Sequence, residues 1–231
     1  MIYIIIPYRD REKQLIQYLD HTLPLVKECL DDFRIIVIEQ GNTKPFNRGL
    51  LINVAVNYLK IQPDDEIIFQ DVNILPQRSV IIECYKNKVD NAAVVGIYSH
   101  AENLGGVIKM TKSTFESVNG FPTNYWGWGF ESNTLKERLN IAGIKSQVKY
   151  SPNTALGNSN FLILDDTISI SRDKRIEGER NETLHKFFCQ NNHQKKIYTI
   201  EKSGLSTTHF KVLRHMCMNK DPFLEFITVD I

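Results

Sequence analysis

"IYIIIPYRDR", residues 2–11, changes character within one step. Residues 2–6 are apolar without interruption, Pro7 ends the run, and charged residues follow at once. A short apolar run closed by a proline reads as a buried strand. The same pattern recurs at "FRIIVIEQ" (33–40), "EIIFQD" (66–71) and "AAVVGIY" (92–98). Helical spacing fills the gaps between these runs. From Arg11 to Leu30 the apolar positions are Leu15, Tyr18 and Leu19, then Leu25, Val26, Cys29 and Leu30. Pro24 divides that stretch into two helices or one kinked helix. "FNRGLLINVAVNYLK", 46–60, sets Leu50, Leu51, Val54 and Tyr58 on one helical face. Strands alternating with helices predict an α/β fold with a mostly parallel central sheet flanked by helices. No boundary or repeat divides residues 1–231, so a single domain is expected.

Further on, "GGVIKMTKSTFESVNGF" reads as a strand entering a short helix capped by Thr111 or Ser113, and the glycine pair 105–106 as a turn. A helix is expected from Glu131 to Ala142. Beyond residue 150 the chain reads as polar and irregular, with "SRDKRIEGERNE" its most charged run. A formal net charge of +1 argues against a nucleic-acid surface. No apolar run is long enough to span a membrane, and the N-terminus lacks the pattern of a signal peptide. The expectation is a soluble, cytoplasmic setting. Cys29, Cys84, Cys189 and Cys217 form no CxxC pair, which argues against a zinc site or a disulfide framework.

In parallel sheets, ligands gather at the carboxyl ends of strands. Three motifs fall there: "PYRDR", "EQGNTKPFNR" and "QDVNILP". Arg9 and Arg11 have the planar fork that suits phosphate oxygens, or they are ordinary solvated charge. Phe46 could stack on a base and Arg48 could pair with a phosphate; alternatively Asn47 caps a helix and Phe46 staples it. Asp71 and Asn73, two apart in extended chain, would turn two oxygens the same way, as a hard cation requires. A strand-ending turn is the plainer reading of "DVN".

"NGFPTNYWGWGFESNT", 119–134, holds both tryptophans of the chain. Tyr125, Trp126 and Trp128 alternate with Gly127 and Gly129. Aromatic faces suit sugar C–H groups, and the glycines let a loop swing. A core cluster would explain Tyr125 or Trp126, though not the glycines.

These stretches together resemble the catalytic domain of the β-1,4-galactosyltransferase family, glycosyltransferase family 7-like proteins with a GT-A type fold. The similarity runs through "IIIPYRDR", "FNRGLLINVA", "QDVNILP", the long block ending "NGFPTNYWGWGFE", "SISRDK", "SGLSTTHFKVL" and "ITVDI". The family's membrane anchor and stem are expected to be absent, since the chain begins at the first strand. The resemblance implies a UDP-sugar donor, a glycan acceptor and Mn²⁺. It implies that Pro7, Tyr8, Arg9 and Arg11 hold uridine and diphosphate, with Phe46 and Arg48 as a second nucleotide segment. Asp71 and Val72 match the start of the family's Asp-Val-Asp. Trp128 matches the tryptophan that closes on the donor, Tyr125 and Trp126 lie toward the acceptor, and Glu131 opens the family's acidic run.

Departures fall at the chemistry. The Asp-Val-Asp is Asp71-Val72-Asn73 here, so the resemblance implies a weakened metal site at Asp71 and Asn73. Ser132 and Asn133 stand where the family has aspartates, one of them the catalytic base. The family has a further ligand histidine shortly before "SRDK"; here that region, around Ile170, reads "DDTISISRDK", and no histidine lies between His100 and His185. Asp165 or Asp166 could restore a ligand. Losing a general base typically costs ~10²–10⁴-fold. Two readings follow. One is a transferase with a rewired centre, Glu131 acting as base beside Ser132 and Arg9 and Arg11 taking over part of the metal's charge. The other is a degenerate module that binds a nucleotide sugar, a glycan or a protein.

Overall fold

The computed structural model describes residues 1–90, 93–100, 102–152, 154–164 and 172–231. Strand β1 (Ile2–Tyr8) leads into α1 (Glu12–Cys29), β2 (Phe33–Gln40) into α2 (Arg48–Tyr58), and β3 (Glu66–Gln70) into a short β4 (Ile74–Pro76). One turn of helix, α3 (Arg78–Val80), continues as a π-helical turn at Ile81–Tyr85. Then come β5 (Ala93–His100), β6 (Asn103–Thr111), α4 (Lys112–Ser117), α5 (Glu131–Ile141), β7 (Lys145–Tyr150), α6 (Ala155–Asn160) and β8 (Phe161–Ile163). The chain closes with α7 (Arg172–Gln190), α8 (His193–Lys202), β9 (Lys211–Met218) and β10 (Asp221–Asp230).

Among the described residues, eight strands make one sheet in the order β7-β5-β6-β3-β1-β2-β10-β9. β1 pairs in parallel with both β2 and β3, β2 with β10, and β5 with β7. β6 is antiparallel to β3 and β5, and β9 is the antiparallel edge beside β10. Alternation along β1 explains its unbroken apolar run. Ile4 and Ile6 face the α1 side with Tyr18 and Val26, while Ile5 faces the α2 side with Leu51 and Phe69. A strand covered on both faces has no position for a polar residue. Each such side chain contributes ~1.5–3 kcal/mol by burial.

Local signals set the helix limits. Asn47 accepts a bond from the Leu50 amide and so caps α2, and Thr111 accepts from the Thr114 amide to cap α4. α1 runs unbroken through Pro24. Two expectations are overturned. Residues beyond 150 are not irregular: they hold α7, α8 and the β9–β10 hairpin, and β10 extends the sheet through "LEFITV". The charged run read as irregular is a surface helix, with pairs such as Lys186–Glu182 along it. The glycine pair is not a turn either. It lies inside β6, with Gly105 at φ +67°.

The carboxyl ends of β1, β2 and β3 therefore lie side by side. A cavity of about 720 Å³ opens at the opposite end, bounded by Met1, Asp31, Asp64 and Lys88. It lies by the strands' amino ends, away from the three motifs. No helix among the described residues is long and apolar enough to cross a membrane.

Candidate functional site

The three strand-end motifs meet through side chains. At the end of β1, the Arg9 guanidinium lies 5.7 Å from the centre of the Phe46 ring and donates to the Lys44 carbonyl. Arg11 occupies the N-terminal cap position of α1. The loop after β2 is shaped by Gln40, whose amide donates to the Lys44 and Pro45 carbonyls while its oxygen accepts from the Asn47 amide. That fixes Phe46 beside Arg9 and points Arg48, the first residue of α2, toward the end of β3. Pro7 is buried, and Tyr8 lines a cavity of about 320 Å³ on the α1 face with Glu12, Glu39 and Phe226.

Arg48 is the hub. Its Nε donates to Asp71 at 2.6 Å, and Nη1 lies 3.5 Å from Glu131. Nη2 is buried without a partner among the described residues. A buried, unsatisfied guanidinium donor is costly and calls for an acceptor. Burial works to lower the Arg48 pKa, but Asp71 and Glu131 together raise it above its ordinary value. Burial pushes the Glu131 carboxyl above the usual carboxylate range, against the pull of Arg48. Gly106 makes room for the pair: a Cβ there would stand 2.7 Å from the Asp71 carboxylate. That close approach accounts for Gly106, while Gly105 is required by its positive φ and by the Tyr98 carbonyl, 2.3 Å from where a Cβ would stand.

Glu131 begins α5, and the residue before it is strained. Phe130 has φ 69°, a left-handed conformation that costs a bulky L-residue ~1–2 kcal/mol, and its ring packs 5.8 Å from that of His185. Ser132 and Asn133 follow on the same helix, each partly exposed.

The aromatic loop is built onto α2 on one side and α7 on the other. Asn47 donates to the Thr123 carbonyl, and the Gly127 amide donates to the Phe46 carbonyl at 2.7 Å. Tyr125 is 4% exposed and its hydroxyl accepts a bond from Thr134, so its ring belongs to the core and offers no face to a sugar here. Trp126 packs on the α2-side core with the Lys44 ammonium 5.6 Å from its ring centre. Trp128 is 59% exposed. From α7, Glu177 accepts the Trp128 amide, Arg180 donates to the Trp126 carbonyl, and Asn181 donates to the carbonyls of both tryptophans. A Cβ at Gly127, where φ is +78°, would fall 2.1 Å from Glu177. Glu177, Arg180 and Asn181 are not among the site residues expected from the sequence, because their polar, charged segment carries no local mark of a helix packed on the loop.

Val72 is 5% exposed and its side chain joins the α1-side core, leaving only its backbone for a ligand. The Asn73 carbonyl accepts from Leu164. Asp165, Asp166 and Ile170 lie outside the described residues. The described residues do not fit Mn²⁺. Asp71 already neutralises Arg48, Asn73 brings an uncharged oxygen, and a divalent hard cation needs several oxygen donors.

Two family models match the chain: the N-terminal region of glycosyl transferase group 7 over residues 1–85, and the N-terminal domain of galactosyltransferase over residues 89–159. β-1,4-Galactosyltransferase 4 of Cricetulus griseus is 30% identical over 236 residues, covering 98% of this chain and 62% of the relative. β-1,4-Galactosyltransferase 1 of Bos taurus is 30% identical over 234 residues, covering 99% of this chain and 54% of the relative. The chain thus spans less than two thirds of the length of these relatives. A crystal structure of a Drosophila β-1,4-galactosyltransferase 7 mutant with manganese, UDP-Gal and xylobiose superposes with a TM-score of 0.76. It is 22% identical and covers 100% of this chain and 93% of its own, which fixes the GT-A fold.

Proposed function

The chain belongs to the β-1,4-galactosyltransferase family, glycosyl transferase group 7, and on that premise we propose that it is a UDP-sugar-dependent glycosyltransferase working through a rewired, metal-poor centre. The observation that carries the proposal is Arg48, which joins Asp71 at a strand end to Glu131 at the aromatic loop and has one buried donor with no acceptor among the described residues. Nucleotide binding would give that donor an acceptor.

The residues divide the work. Phe46, held under Arg9, offers an aromatic edge for the base. Arg9 and Arg11 flank the start of α1, where guanidinium forks and helix amides both favour diphosphate oxygens. Asp71 lies where it can accept from a ribose hydroxyl, and Trp128 has an exposed ring to lay over the donor sugar. An inverting transfer needs the acceptor hydroxyl proton to leave as its oxygen bonds the anomeric carbon and the bond to the diphosphate breaks. Glu131 takes that proton; its raised pKa makes it a stronger base than an ordinary carboxylate. Ser132, partly exposed one residue on, can donate to the acceptor but is too weak a base to replace it. The departing diphosphate carries its negative charge to Arg9 and Arg11. Where a divalent ion assists in such transfers, it supplies charge neutralisation at this leaving group; here the described donor set gives it no full site.

A second reading, a binding module without turnover, draws on one fact: Asn73 and Ser132 stand where charge and basicity are needed. Galactose transfer from UDP-galactose to a simple sugar acceptor, measured in Mn²⁺ and in EDTA, separates the two readings.

A further inference from the structure

At the β9–β10 edge of the sheet, well away from the cleft, a second cluster of reactive side chains stands on one face. Cys217 on β9 lies opposite Glu225 on β10, and His215 lies opposite Ile227. His215 and Cys217 are two residues apart on a strand, so both turn the same way. The imidazole nitrogen, the thiol sulfur and a carboxylate oxygen lie within 4.8 Å of one another. Glu225 pairs with Ile36 of β2, four residues before Gln40 ends that strand, so the cluster sits roughly 13 Å short of the cleft along the strand.

The three groups differ in exposure, and that matters. Glu225 is fully buried, while His215 and Cys217 reach solvent. One Glu225 oxygen is paired with Arg34, a β2 side chain that is itself 34% exposed, and the other lies 2.8 Å from His215 Nε2. The far side of the imidazole is held as well: the Tyr58 hydroxyl lies 3.2 Å from Nδ1. A carboxylate anchored from behind, an imidazole steered through its second nitrogen and an open thiol form a three-sided cradle with its mouth to solvent.

We propose that His215, Cys217 and Glu225 bind a zinc-class divalent cation through Nε2, Sγ and a Glu225 oxygen, with the fourth tetrahedral position left to water. The donor chemistry selects the ion. A thiolate and an imidazole suit Zn²⁺ or Co²⁺, whereas Mg²⁺ and Mn²⁺ favour oxygen donors. Binding releases the Cys217 proton to solvent. His215 gives up its contact with Glu225, turns the Nε2 lone pair to the metal and carries its proton on Nδ1 toward Tyr58, the kind of outer partner that orients metal-bound histidines. Arg34 opposes the cation but leaves one Glu225 oxygen free for it. The widely spaced cysteines of the sequence hid this site, since its ligands come from two paired strands.

Cobalt titration of the whole protein tests it. One equivalent of Co²⁺ should bring up a thiolate-to-cobalt absorption band, and Zn²⁺ should abolish that band. Cys217→Ser should remove the band and weaken Zn²⁺ binding by at least about tenfold, with circular dichroism unchanged. Tyr58→Phe should weaken it by about tenfold, the scale of a lost outer partner. Cys189→Ser, at the other exposed thiol, should leave binding intact. On the unmodified protein, Zn²⁺ should slow iodoacetamide labelling of Cys217 and not of Cys189, a readout that does not depend on a variant folding. A band that survives Cys217→Ser or disappears in Cys189→Ser, Zn²⁺ that protects neither thiol, or no cobalt uptake at all overturns the proposal.

Discussion

Arg48 Nε stands 2.6 Å from Asp71 Oδ1, while the same guanidinium reaches toward Glu131 at 3.5 Å. One cation thus balances two carboxylates from elements far apart in sequence. Removing one partner of a buried ion pair leaves uncompensated charge and typically costs ~3–5 kcal/mol. Arg48 and Asp71 are only partly buried, so Arg48→Ala should lose less stability than that, with Asp71 and Glu131 left to repel each other. Arg48→Lys should lose less, because the charge remains while the fork is lost. Urea denaturation midpoints at one pH check both.

Arg9 is held by stacking over Phe46 and by the Lys44 carbonyl. A charged hydrogen bond to phosphate contributes ~1.5–3 kcal/mol. Arg9→Ala should weaken UDP binding by that amount and leave binding of a free monosaccharide unchanged. Calorimetry with the two ligands decides it; equal UDP affinity in variant and parent removes Arg9 from the phosphate site.

Glu131 carries a pH signature. Burial raises its folded pKa above the unfolded value of about 4.3. The folded state then binds more protons than the unfolded state between those two values, so stability falls as pH rises through that window. The cost is complete above the folded pKa and is relieved on acidification toward the unfolded one. Glu131→Gln should flatten this slope. Transfer should show the opposite trend in the parent protein, rising with pH over the same window as the base loses its proton. Denaturation midpoints and kcat/KM across the pH range measure the two curves.

Trp126 and Trp128 are the only tryptophans in the sequence, so intrinsic fluorescence reports on one loop. Glu177 and Asn181 bond the Trp128 backbone while its ring stays exposed. UDP should shift the emission, and Trp128→Phe should abolish most of that shift. Glu177→Ala should speed amide hydrogen exchange across residues 123–134 without ligand, and UDP should slow it. Exchange that is slow and identical with and without UDP in the parent protein would mark the loop as fixed core.

The strand signals were legible because burial on both faces leaves an apolar run with a sharp end, and β1, β2 and β3 follow that rule. Their placement side by side was legible from parallel-sheet topology. The second layer of the site was harder to read. Gly106 looks like any turn glycine until β6 is laid against Asp71. Tyr125 looks like a ligand-facing aromatic until Thr134 is found to bond its hydroxyl. α7 was hard to read because its charged run carries no clear apolar stripe, and the hold of Glu177, Arg180 and Asn181 on the tryptophan loop runs to backbone carbonyls and an amide. The link between Arg48 and Glu131 spans 83 positions and has no local sequence signal.

The most direct test is turnover of UDP-galactose onto a simple sugar acceptor, run in parallel in Mn²⁺ and in EDTA, with Glu131→Gln beside the parent protein. A centre neutralised by arginine and served by Glu131 predicts slow transfer, equal within about twofold in the two buffers, and lost in Glu131→Gln by the ~10²–10⁴-fold typical of a missing general base. Transfer that rises a hundredfold or more with Mn²⁺ would show a complete metal site and contradict the account. So would UDP binding with no transfer in either buffer, which would leave a nucleotide-binding module on a transferase fold.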